Sequence, residues 1–391
     1  MIHSSAGPSR TAQVPPSYTP RSDASHVPTG HPPEVTRIPA LDGLRGVAIV
    51  LVILLHYAVR RQAGVDVLQH VRPLWALLDM SWSGVDLFFV ISGFLIGGIL
   101  LDNRESPRLM QVFYVRRACR ILPLYLLLLA LSNAPVFGGL SATSGSRIPV
   151  AAYLMFVQNF WTSTGVAPAH WLAPTWSVAI EEQFYLVAPF AVALLSRRAL
   201  LRVLLACIVA APLLRIASVQ GLAPVSSWDF TLCRIDAPAY GVLGALLVRD
   251  ARGLRALASH ATTLRRALPL LLAGYVALSQ LWLVRGGKAL IITVGLSYLA
   301  LTALVLLLVA QYSPDSLPAK VARAAPLVRI GQRSYFLYLF HTPLIGVLAI
   351  LPVSYWTRVG VAVAVLWMLA ELSWRYLEAP ILRMGRRQRY S

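Results

Sequence analysis

Apolar runs of about 14 to 24 residues, separated by short clusters of arginine, recur along this chain from residue 40 onward, and a run of that length is long enough to cross a bilayer as a helix. This pattern restricts the fold more than any single motif. The chain carries 35 Lys plus Arg against 16 Asp plus Glu, a net charge of +19 that by itself would suit a nucleic-acid binder. The positions of the charges exclude that reading, because they fall between the apolar runs, where loops between membrane helices lie. Charged residues make up only 13% of the chain, against about 25% in a typical soluble domain, so lipid is its main solvent.

The fold expected is an all-α integral membrane protein of about ten transmembrane helices, multi-pass in the cytoplasmic (inner) membrane. The sequence predicts spans over residues 40–59, 83–101, 117–133, 177–195, 199–219, 234–248, 267–284, 289–311, 334–351 and 358–377. Lys and Arg concentrate in the connections on the side that holds both termini, which makes both termini cytosolic. Residues 1–36 are rich in Pro, Ser and Thr and lack the apolar core of a secretory signal, so they read as a disordered cytosolic tail. Residues 37–380 form the membrane domain, and 381–391 a basic cytosolic tail. The apolar stretch 150–161 is too short to span, and reads as a re-entrant or interfacial piece of a long outer connection whose Trp161, Trp171 and Trp176 suit the membrane interface. Cys119, Cys207 and Cys233 have neither disulfide-framework nor metal-ligand spacing, and no metal site is expected.

Several ionisable residues fall in or beside the runs, where they are costly and mark candidate sites. Arg45 and His56 stand roughly three helical turns apart on one face of the first run. That arrangement suits a long anionic ligand whose reactive end reaches a histidine able to take a proton near neutral pH, or else a histidine bonded to a neighbouring helix and an arginine at the headgroups. Arg117 and Arg120, at i and i+3, form either a clamp for phosphates or a topological anchor. Glu181 and Glu182 open the fourth span on the outer side, where one of them could orient an acceptor hydroxyl or pair with a buried base. Alternatively they sit in the first turn of a helix capped by Ser177. Arg234 and Asp236 begin the sixth span, and Glu371 with Arg375 reads as an i,i+4 ion pair. His341 precedes Pro343, so it either bonds a carbonyl freed by the proline or lines a cavity.

Six segments in this order resemble the acyltransferase-3 family of membrane O-acyltransferases. They are Leu41 to Gly46 with His56, Phe88 to Ile96, Arg117 to Tyr125, Trp176 to Tyr185, Arg234 to Gly244, and Ser334 to Pro343, and together they cover residues 37 to 380. The resemblance implies a helical membrane enzyme that moves an acyl group, usually acetyl, from cytosolic acyl-CoA to a hydroxyl of a carbohydrate or related acceptor. It implies that His56 is the catalytic histidine paired in a motif with Arg45, and that Arg117 and Arg120 contact the CoA phosphates. Glu181, Glu182 and His341 match motif positions and join His56 as candidate catalytic residues. Many longer relatives add an extracytoplasmic SGNH hydrolase-like domain, which this sequence does not show after the tenth run, so acylation is expected to finish within the bundle.

The donor expected is acyl-CoA, acetyl-CoA foremost, used as a substrate with no permanently bound cofactor. The acceptor expected is a carbohydrate or glycolipid, such as a cell-surface polysaccharide or its lipid-linked precursor. Rival readings are a macrolide or other secondary-metabolite acceptor, peptidoglycan, or a proton-coupled transporter that uses the intramembrane Arg, His and Glu residues as a pathway. The clear internal repeats that would favour transport are not visible in the sequence. Nucleic acid is not an expected partner.

Overall fold

Each of the ten apolar runs carries a helix, because long runs of Leu, Ala, Val and Ile can satisfy their backbone only within themselves once water is excluded. The computed structural model describes residues 38–59, 72–134, 147–282 and 286–390. The segment 1–36, expected to be a disordered tail, lies outside the described residues, as does 135–146 of the long connection. In chain order the helices are α1 (Pro39–Leu54), α2 (Arg72–Asp79), α3 (Gly84–Asp102), α4 (Leu109–Asn133), α5 (Val150–Leu154), α6 (Gln158–Ser163), α7 (Thr175–Leu194), α8 (Arg197–Val219) and α9 (Asp236–Val248). They continue as α10 (Ala251–Ser259), α11 (Ala261–Trp282), α12 (Gly287–Leu290), α13 (Leu296–Tyr312), α14 (Leu317–Ala322), α15 (Ala325–Gln332), α16 (Ser334–Val347), α17 (Tyr355–Ser373) and α18 (Ala379–Arg386). π-turns extend α1 over Leu55–Val59, join α12 to α13 over Ile291–Gly295, and join α17 to α18 over Trp374–Glu378.

Six of these helices, counted with their continuations, are long and apolar enough to cross a membrane, or seven if the pair α15 and α16, bent by 71°, is one span. That is fewer than the ten expected, for local reasons. Helix α4 has the length but carries Arg116, Arg117 and Arg120 in its first half, α11 carries Arg265 and Arg266, and α9 is only 13 residues long. The stretch at 150–161 breaks into the short helices α5 and α6, neither long enough to span. Large apolar side chains such as Leu186, Val187, Leu194, Leu213 and Leu270 stand exposed on helix faces, an arrangement that hydrocarbon tolerates and water does not.

Helices α3 and α9 pack backbone to backbone. A Cβ on Gly93 would lie 2.1 Å from the Pro238 carbonyl oxygen, and one on Gly241 would lie 2.2 Å from that of Val90. Small residues permit this approach, which in lipid replaces the hydrophobic drive with close van der Waals contact. Two buried ion pairs tie the same region together: Arg234 donates to Asp86 at 2.8 Å, and Arg215 to Asp236 at 2.9 Å. Ser297 also donates to Asp236.

Two expectations are corrected here. Glu371 does not pair with Arg375 but accepts from Arg329 at 2.9 Å and Arg333 at 3.1 Å, which stand four residues apart at the end of α15 and so on one side of it. Arg375 instead stacks on Tyr376. Trp171 is not an interfacial anchor, since it is buried in the core, while Trp161 is exposed as expected. At the C-terminus, Arg116 of α4 donates to the Gln388 carbonyl at 2.7 Å and stacks on Tyr390, so the basic end of the chain is held against α4.

Candidate active site

Two adjoining cavities occupy the bundle, and Val85 and Tyr338 stand in the walls of both. The first is narrow, about 80 Å³, and densely charged. Arg45 from α1, Arg117 and Arg120 from α4, and Glu181 and Glu182 from α7 line it, with Ser92, Tyr185, Ser334 and Tyr335. The helical spacing of Arg117 and Arg120 puts both guanidinium groups on the cavity side, as expected for i and i+3. Arg45 lies 3.7 Å from Asp42 and Arg120 lies 3.9 Å from Glu378, both loose pairs. Arg117 stacks between the rings of Phe113 and Tyr185, each at 6.0 Å. The Ser92 and Tyr185 hydroxyls share a hydrogen bond of 2.5 Å.

The glutamates depart from the sequence reading. Only one of two adjacent helical residues was expected to face a site, on the outer side, yet both line the cavity that holds the three arginines. The cavity runs along the stripe of Ser177, Val178, Glu181, Glu182 and Tyr185, wide enough to reach both carboxylates. Glu182 Oε1 is buried with no hydrogen-bond partner among the described residues. Ser177 does not cap α7, because its hydroxyl bonds the Pro174 carbonyl and the Tyr338 hydroxyl instead, the latter at 2.6 Å.

The second cavity is larger, about 650 Å³, and mostly apolar and aromatic. Val52, His56, Trp82, Trp176, Trp228 and Asp229 are among its lining residues. His56 sits in the π-turn that ends α1, and its Nδ1 lies 2.9 Å from the Val52 carbonyl oxygen. A carbonyl can only accept, so Nδ1 carries the proton in the neutral ring, and Nε2 holds the lone pair a base needs.

His341 neither lines this cavity nor uses the carbonyl that Pro343 frees. It lies fully buried behind His56, with ring centroids 4.8 Å apart. Its Nδ1 bonds the Tyr338 carbonyl at 2.7 Å, whereas an i−4 bond missing at Pro343 would free Leu339. Its own carbonyl accepts from the Tyr57 hydroxyl at 2.7 Å. His341 thus packs against the ring of His56 outside the residues that line either cavity.

Asp86, Arg215, Trp228 and Asp229 were not singled out by sequence. Asp86 and Arg215 each interrupt an apolar run, and Asp229 is the one acid in the connection 220–233, next to a tryptophan, so a signal existed for all of them. Among the described residues no group of three His, Cys, Asp or Glu is placed to hold a metal ion.

The acyltransferase domain model of the acyltransferase-3 family matches residues 38–371. The chain belongs to this family. Within the acyltransferase-3 domain lie all seven residues proposed from motifs, and five of them, Arg45, Arg117, Arg120, Glu181 and Glu182, meet in one cavity. The chain is similar to the peptidoglycan O-acetyltransferase OatA of Listeria monocytogenes, 29% identical over 386 residues, covering 89% of this chain and 56% of that protein. It is also similar to the O-acetyltransferase OatA of Staphylococcus aureus, 26% identical over 374 residues, covering 89% of this chain and 58% of that protein. The chain thus spans a little over half the length of these relatives. No solved structure matches it.

Proposed function

We propose that the protein is a membrane O-acyltransferase, most simply an O-acetyltransferase, that takes its acyl group from cytosolic acyl-CoA and delivers it to a carbohydrate hydroxyl. The observation that carries this reading is the meeting of an arginine-lined cavity and a histidine-lined cavity at Val85 and Tyr338. The relatives' names, which describe O-acetyltransferases and in one case peptidoglycan, support a carbohydrate acceptor. Multi-pass insertion in the cytoplasmic membrane, with about ten spans and both termini cytosolic, is the topology proposed, since it puts the arginine clusters on the cytosolic side.

In this mechanism Arg117 and Arg120 hold the phosphates of CoA through charge-assisted hydrogen bonds. The thioester arm then runs on from these arginines past Arg45 toward Val85 and Tyr338, which line the same cavity. The acceptor occupies the second cavity with its hydroxyl at His56. His56 Nε2 takes the hydroxyl proton as the oxygen bonds to the thioester carbonyl carbon. The carbon–sulfur bond then breaks, and the proton passes from His56 to the departing CoA sulfur, which regenerates the neutral ring. Glu181 and Glu182 offset part of the charge of the three arginines in the same cavity, and His341 packs against the His56 ring. Acetyl-CoA carrying a labelled acetyl group tests the reading on purified protein. Label should leave CoA and appear on carbohydrate, and a protein that neither cleaves the thioester nor transfers the label is not this enzyme.

A further inference from the structure

We infer that the larger cavity is a subsite for an uncharged pyranose ring, stacked against Trp228 and hydrogen-bonded by Asp229 and the indole N–H of Trp82. This rests on the reading that the larger cavity takes the acceptor.

The three tryptophans of the cavity wall form one assembly. Trp82 meets Trp228 edge to face at 4.7 Å, and Trp176 lies 6.4 Å from Trp228. Arg234 braces them, 5.4 Å from the Trp228 ring and 5.6 Å from the Trp176 ring, while its charge is paired with Asp86. The rings are therefore held rigid, and an aromatic wall with few polar groups suits a ligand that has an apolar face.

The polar groups in that wall are fixed but unsatisfied. Asp229 is 9% exposed, its backbone carbonyl accepts from Asn159 at 3.1 Å, and its Oδ1 has no partner among the described residues. Trp82 is 4% exposed, and its Nε1 likewise has none. A buried acceptor and a buried donor left unpaired in residues that line one cavity are costly unless a ligand completes them. Among the described residues the titratable lining is His56, His170, Asp229 and Tyr338, with no lysine or arginine, so the Asp229 carboxylate repels anions. A phosphate or carboxylate at this position is therefore disfavoured. A sugar ring offers what remains: C–H bonds for the indole faces, hydroxyl protons for Asp229, and a hydroxyl oxygen for Trp82.

The test is calorimetric titration of the full chain in lipid nanodiscs with chitotetraose, a neutral oligosaccharide, alongside titration with acetyl-CoA. Trp228→Ala and Asp229→Asn should each weaken chitotetraose binding about tenfold or more, as loss of a hydrogen bond to a charged group does for the second. Trp228→Phe should restore part of the loss, and acetyl-CoA affinity should not move in any of the three. Absence of saturable chitotetraose binding to the wild type overturns the proposal. So does retention of wild-type affinity within about twofold in both Trp228→Ala and Asp229→Asn, or tighter binding of a phosphorylated oligosaccharide than of the neutral one. The two levels separate cleanly. Transfer of label to carbohydrate with no dependence on Trp228 removes the subsite and keeps the enzyme, whereas Trp228-dependent sugar binding without any acyl transfer does the reverse.

Discussion

The two cavities share Val85 and Tyr338 yet handle charge in opposite ways. The narrow one gathers three arginines and two glutamates around about 80 Å³, with its closest ion pairs at 3.7 and 3.9 Å, so its guanidinium groups are incompletely neutralised. The wide one offers about 650 Å³ of apolar and aromatic wall that includes, among the described residues, the Asp229 carboxylate and the His56 and His170 imidazoles. On the proposed reading the first would select by charge and the second by ring faces and a few hydrogen bonds. A reaction that joins a polyanionic donor to a neutral polyol needs both kinds of site, and needs them to touch at one point.

The comparison breaks most completely at the level of topology, where the expected effect is all or none. A reporter inserted within residues 141–147 should be extracytoplasmic, and one within 252–259 cytosolic. Both reporters on one side would mean that donor and acceptor do not approach from opposite faces of the membrane.

Next in size is His56, which lines the wide cavity. His56→Ala should lower acyl transfer by about 100- to 10,000-fold, the usual contribution of a positioned general base. His56→Gln should fall with it, since a glutamine keeps polarity without a titratable nitrogen. Near-normal transfer by the glutamine variant would show that His56 only braces its neighbours.

A smaller effect, on stability, is expected behind the wide cavity. Arg234→Ala leaves Asp86 buried without its partner, and breaking a buried pair on one side costs about 3–5 kcal/mol. Thermal unfolding in detergent reads that loss, and an unchanged midpoint would mean that the pair does not hold the tryptophan wall.

The smallest change falls on the narrow cavity. Arg117→Ala and Arg120→Ala should each weaken acyl-CoA binding roughly tenfold, the value of a hydrogen bond to a charged group, with chitotetraose binding unchanged. Unchanged acyl-CoA affinity in the double variant would make these arginines topological anchors.

The helices were legible because the length and apolarity of a run are local properties, and lipid forces such runs to satisfy their own backbone. The arginines and glutamates of the narrow cavity were legible for a related reason: a charge in or beside an apolar run is conspicuous. What pairs with what was not legible. Arg234 finds Asp86 across 148 positions of sequence, and Glu371 prefers Arg329 and Arg333 to Arg375 one turn away, choices that depend on how bent helices meet. The wide cavity was hidden for another reason. Trp228 and Asp229 lie in a connection between helices, and the one acid of that connection beside a tryptophan is a signal whose meaning appears only when packing brings both into one cavity with His56. His341 lies fully buried against the ring of His56, a contact that its motif position did not reveal.

The central claim, that the donor's acyl end reaches the point where the two cavities join, is open to direct measurement. An acyl-CoA with a photoreactive group at the acyl terminus can be irradiated in the presence of the full-length protein, and the modified residues mapped by peptide mass spectrometry. Adducts should concentrate on Val85, Tyr338 and His56, and should disappear in the Arg117→Ala, Arg120→Ala double variant. Adducts that spread over the lipid-facing side chains of α7 and α8, with none at Val85, Tyr338 or His56, would contradict it.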